Sequence, residues 1–150
     1  MKDWKKEINE QLKLAIKNKD TTRLNVLKLL KTELTNEEVK NEREELTEGQ
    51  VIQVIQRAVK KRKEAIEEFR KVGQEERANE EEAELKILME FLPEQLSREE
   101  IEKIVDEIIK ETGAETMKDM GKVMSAVMPK VKGRADGKIV SEIVRNKLSK

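Results

Sequence analysis

The sequence predicts an all-α protein of two helical subdomains, residues 1–93 and 94–150. Three observations carry that prediction. Charged residues fill 43% of the 150 positions, Lys and Glu foremost, a composition suited to solvated helices with narrow apolar faces. Apolar residues recur at three- and four-residue spacing along most of the chain, whereas runs alternating with period two are missing. Helix-opening and helix-closing signals punctuate the pattern, and Pro93-Glu94-Gln95-Leu96 marks the boundary between the halves.

In chain order, Trp4, Ile8, Leu12, Ala15 and Ile16 trace one face of a first helix. Asn18-Lys19-Asp20 breaks it, and Asp20 or Thr21 is placed to cap the second. There Leu24, Leu27, Leu30 and Leu34 form a stripe that Val26 and Leu29 widen, while Thr35 to Glu45 is polar and reads as helix end and loop. Thr47-Glu48-Gly49-Gln50 is a capping box that opens a long third helix, with Val51, Ile55, Ala58, Val59, Arg62, Ile66 and Phe69 inward and Gly73 at its end. A fourth helix follows, with acids near its N-terminus to complement the dipole, and Pro93 stops it.

Ser97-Arg98-Glu99-Glu100 is a second capping box. It opens a fifth helix that turns Ile101, Ile104, Val105, Ile108 and Ile109 inward and ends at Thr112-Gly113. Glu99–Lys103 and Asp106–Lys110 fall at the spacing of helical ion pairs. Met120, Val123, Met124, Val127 and Met128 form the stripe of a sixth helix, which Pro129 is expected to end or kink. The last helix carries Ile139, Val140, Ile143, Val144 and Leu148, with Asp136 at its N-cap. The small C-terminal subdomain is marginal by size alone, so it is expected to lean on the N-terminal helices or on a partner.

Composition excludes whole classes of chemistry. Without cysteine there is neither a disulfide framework nor a thiolate metal site, and without histidine the usual base for nucleophilic catalysis is missing. No apolar run approaches the ~18 residues of a membrane span. The charged N-terminus does not resemble a signal peptide, and a cytoplasmic location is expected.

Charge is nonetheless polarised. Ala114 to Lys150 carries nine Lys/Arg against four Asp/Glu; Glu75 to Glu111 carries five against fourteen. The run Gly133-Arg134-Ala135-Asp136-Gly137-Lys138 is not a phosphate-binding P-loop, because the glycine spacing is short by one and Ile139 stands where Ser or Thr is needed. In structural terms Gly133 relaxes the turn, Asp136 caps, and Gly137 allows close packing. A glycine-rich turn that opens a helix also presents backbone N–H groups to a phosphate. Around it Lys118, Lys122, Lys130, Lys132, Arg134, Lys138, Arg145 and Lys147 are either a nucleic-acid face or a solvated surface. With no aromatic nearby, RNA would be met through its backbone and shape.

Three further features have plain readings. Lys60 to Lys63 is expected to pair along its own helix, as Lys60–Glu64 and Lys63–Glu67. Met117, Met120, Met124 and Met128 read as core filling, with a plastic docking groove as the alternative. The acidic block Glu80-Glu81-Glu82 with Glu84 reads as dipole compensation and not as a metal site, since bundle metal sites also use histidine.

Asp119-Met120-Gly121-Lys122-Val123-Met124, Gly133 to Lys138 and Val144-Arg145-Asn146-Lys147-Leu148 resemble the GatB/YqeY family. Upstream matches are Lys60-Lys61-Arg62-Lys63-Glu64, Glu81 to Glu84 ahead of Leu85, and Phe91 to Leu96. The family includes the C-terminal tail of the B subunit of glutamine-dependent tRNA amidotransferase and free-standing proteins of this length. The resemblance implies a small three-helix, tail-like bundle over 94–150 and a link to carbon–nitrogen ligase chemistry with glutamine as amide donor. It does not supply the catalytic domain, so no independent catalysis and no cofactor are expected.

Two functions stand side by side. One is a tRNA-binding accessory using Lys122, Lys130, Lys132, Gly133, Arg134, Asp136, Gly137, Lys138 and Arg145, as the resemblance to a tail that contacts the tRNA body implies. The other is a helical adaptor that docks on an amidotransferase or another translation protein. Neither a membrane nor DNA is an expected partner.

Overall fold

A computed structural model describes residues 3–149, and among them every regular element is helical. The chain divides into two compact units, Met1–Leu92 and Pro93–Lys150.

The N-terminal unit consists of α1 (Trp4–Lys17), α2 (Thr21–Lys40), α3 (Glu48–Lys71) and α4 (Glu75–Met89). Its core gathers Trp4, Ile8, Leu27, Leu30, Leu34, Ile55 and Leu88, with α3 packed along α4 and α1 along α2. The caps are local chemistry. Asp20 accepts from the Arg23 amide at the start of α2, and Thr47 and Gln50 exchange side-chain and backbone bonds at the start of α3. Gly73, at φ +76°, follows the end of α3 in the left-handed region that favours glycine.

Two expectations change here. Helix α2 continues to Lys40, through a stretch that reads as a loop. Ion pairs Lys5–Glu38 (2.8 Å) and Arg57–Glu37 (3.0 Å) tie its polar last turns to neighbouring helices, and the chain turns only where Glu42 and Arg43 adopt positive φ. Ile16 and Leu29 lie on the solvent side, because their neighbours Ala15 and Leu30 already fill the inward positions.

The C-terminal unit consists of α5 (Arg98–Thr112), a 3₁₀ turn (Met117–Asp119), α6 (Met120–Val131) and α7 (Gly137–Leu148). Ile101, Val105 and Ile108 of α5 meet Val123, Val127 and Val131 of α6 and Val140, Ile143, Val144 and Leu148 of α7. Ser97 and Glu100 form the capping box at the start of α5, and Gly113, at φ +70°, closes that helix. Pro129 lies inside α6 and does not end it. The helix runs two residues further, where Val131 is fully buried. Burial of an entire Val side chain stabilises by about 1.5–3 kcal/mol, which offsets much of the ~3 kcal/mol that an interior proline costs through its missing bond and its crowding ring.

The same valine-centred packing places the methionines. Val123, Val127 and Val131 hold the centre of the stripe, Met120 and Met124 flank it, and Met117 and Met128 are exposed. No helix among the described residues is long and apolar enough to cross a membrane.

Candidate nucleic-acid interface

The basic turn between α6 and α7 is built from backbone upward. Gly133, at φ +76°, reverses the chain, and the Arg134 amide donates to the Val131 carbonyl at 2.8 Å. Asp136 then opens α7. Its carboxylate accepts from the Lys138 amide at 2.9 Å, and its carbonyl from Ile139 and Val140 at 3.0 and 3.1 Å. The amides expected to face a phosphate are therefore largely occupied by the protein's own acceptor. An anion at this turn must be held mainly by side chains. Gly137 leaves room to spare, since a Cβ there would meet only Met128 Cε, at 3.7 Å.

A second segment pins the turn. The Leu96 amide donates to the Arg134 carbonyl at 2.8 Å, and the Gln95 side-chain amide donates to the Gly133 carbonyl at 2.8 Å. In return Arg134 Nε donates to the Glu94 carbonyl at 3.0 Å. Gln95 Nε2 also donates to Pro93 O, at 2.8 Å.

Three of the nine sequence-selected residues stand out around this frame. Lys130 in the last turn of α6, Lys132 in the connection and Lys138 in the first turn of α7 are exposed and form no ion pair among the described residues. Gly133, Arg134, Asp136 and Gly137 shape the turn itself. Lys122 and Arg145 lie toward the far ends of α6 and α7, roughly 10–12 Å along each axis from Lys130 and Lys138. Lys122 Nζ donates to the Thr112 carbonyl at 3.2 Å, and Lys147 pairs with Asp106 at 2.8 Å. Asp106 thus reaches across to α7 instead of along its own helix.

The N-terminal unit disposes of charge differently. Arg23 pairs with Asp20 and Glu90, Arg57 with Glu37, Arg62 with Glu81 and Glu84, and Arg70 with Glu75 and Glu82. The acidic block on α4 therefore serves mainly to bind α3, its members lying too far into the helix to act chiefly on the dipole. An open hollow of about 370 Å³ lies beside these pairs, lined by Asn25, Leu29, Glu33, Ala58, Arg62 and Glu84 among others. None of these is a hydroxyl or thiol nucleophile.

Glu94, Gln95 and Leu96 were legible in the sequence as a boundary and as part of a family match, but not as a clasp. Their role in holding the turn rests on contacts some 38–40 positions away.

The family described as Yqey-like protein matches this chain over residues 5–148. A relative in Schizosaccharomyces pombe, described as an uncharacterized protein, is 43% identical over 51 residues, which are 34% of this chain. The matched stretch covers 42% of that relative's length.

Proposed function

Because the chain belongs to the YqeY-like protein family, we propose that it is a tRNA-binding accessory protein that grips the RNA backbone with the α6–α7 turn. The observation that carries this reading is the trio Lys130, Lys132 and Lys138, exposed at one pinned turn with no acidic partner among the described residues. Cations left unpaired along one turn suit a polyanion, whose condensed counterions are released on contact. Residues 93–150 contain no aromatic side chain on which an unstacked base could lie. Recognition would therefore run through phosphates and helical shape. The link to glutamine-dependent carbon–nitrogen ligase chemistry is one of association, with catalysis supplied elsewhere.

The test is filter binding of a tRNA transcript to the full chain and to a Lys130→Glu, Lys132→Glu, Lys138→Glu variant. The parent's affinity should fall steeply with salt, and the variant should bind weaker by roughly a hundredfold at low salt. Equal binding by both proteins overturns the reading.

The second reading is a protein-docking adaptor. Met128 and Ile139, 36% and 37% exposed beside the turn, favour it. It requires a protein complex that survives nuclease treatment and is lost on Met128→Lys, Ile139→Lys substitution.

A further inference from the structure

We propose that Gln95 is a positioning residue for the anion-binding turn, holding the backbone from which Lys132 projects ahead of Lys138 without touching RNA itself. This rests on the RNA reading above. Gln95 has two amide hydrogens, and both are used: one bond goes to Gly133 O and one to Pro93 O, each at 2.8 Å. The side chain thereby bridges the start of the unit to the residue at which the turn reverses. Its neighbour Leu96 takes the next carbonyl, that of Arg134, so two successive turn carbonyls are held by two successive donors. Arg134 completes the clasp by donating back to Glu94 O.

The turn needs such help. Gly133 is the least restrained kind of residue in the chain, and Lys132 beside it carries a flexible, exposed side chain that would meet phosphate. Binding an ordered RNA backbone with an unpinned loop costs the entropy of fixing that loop, and a loop already fixed avoids the cost. Gln95 is exposed and belongs to neither core cluster, so its replacement leaves the helices packed.

The experiment compares the full-length parent, Gln95→Met and Lys132→Gln, Lys138→Gln for binding one tRNA transcript across a salt series. Methionine is close to glutamine in length and carries no donor or charge. If Gln95 positions, Gln95→Met weakens binding on the order of fivefold, the yield of the one of its two lost bonds that reaches the turn, that to Gly133 O. The slope of log affinity against log salt stays at the parent value, because no phosphate contact is removed. Amide exchange at Gly133 to Gly137 quickens in that variant while the core amides of α6 and α7 keep their protection. The double lysine variant lowers the slope instead.

Parental affinity in Gln95→Met, with the lysine variant impaired, overturns the positioning role and leaves the RNA reading standing. A slope that falls in Gln95→Met makes Gln95 a direct contact and also overturns it. Failure of the parent to bind, or parental binding by the lysine variant, removes both the RNA reading and this inference.

Discussion

Arg62 on α3 donates through Nη1 to Glu81 on α4 at 3.2 Å, and the same nitrogen reaches Glu84 one helical turn further on. The Arg62 side chain is only 13% exposed, and the two carboxylates are under a third exposed. The three charges hold one another, and removing the cation leaves two carboxylates facing each other in a half-dry setting. Arg62→Met is therefore expected to destabilise the N-terminal unit by about 1–3 kcal/mol, below the full cost of breaking a deeply buried pair because water still reaches the site. Adding Glu81→Gln and Glu84→Gln should recover most of that loss. Trp4, the single tryptophan, is buried in this unit's core, so its fluorescence during urea unfolding reads the effect directly.

How legible was this in the sequence? At several caps, where signal and consequence lie within one turn, the residues announced the structure. Thr47 with Gln50, Ser97 with Glu100, and Asp136 all cap as their spacing demands, and the inward stripes of α3 and α5 follow from periodicity. What lay outside one turn was not legible. Lys60–Glu64 and Lys63–Glu67 are the local pairings a helix offers, yet the basic cluster's tie to α4 is made by Arg62, across 19 and 22 positions. Met128 and Ile139 have the right spacing for a core face and are exposed, because Val131 and Val140 occupy the neighbouring inward positions more fully. Around the basic turn, the lysines could be named from composition alone. The Gln95 clasp could not, since nothing in a string of residues shows which distant carbonyl a glutamine will meet.

The two glycines of the basic turn should respond oppositely to a methyl group. Gly133 sits at φ +76°, where a side chain crowds the following carbonyl, so Gly133→Ala should cost about 1–2 kcal/mol. Gly137 opens α7 with ordinary φ, and its added Cβ would touch Met128 Cε at 3.7 Å, normal van der Waals contact. Gly137→Ala should be neutral or stabilise by up to about 1 kcal/mol, through better helix propensity. Amide exchange within α5, α6 and α7 distinguishes the two, with faster exchange in the first variant and unchanged or slower exchange in the second.

Acid should loosen the C-terminal unit through two identified carboxylates. The Ser97 amide, followed by its hydroxyl, holds Glu100 below the usual carboxylate range, and the amides of Glu115 and Thr116 do the same for Asp119, at 2.9 and 3.3 Å. Each group binds its proton less readily folded than unfolded. The stability it contributes is therefore full above the unfolded value, near pH 4, and is lost as pH falls through the lower folded value. Between neutral pH and about pH 5 the exchange protection of α5 to α7 should hardly change; below about pH 4 it should decline. Glu100→Gln keeps the capping geometry and Asp119→Asn keeps an acceptor, while both remove the titration. The double variant should start less stable at pH 7 and lose less on acidification, so that the gap between the two proteins narrows toward pH 3. Trp4 emission, which reports only the N-terminal unit, should not follow that narrowing. A gap that stays constant from pH 7 to pH 3 would show that neither cap carries the acid sensitivity.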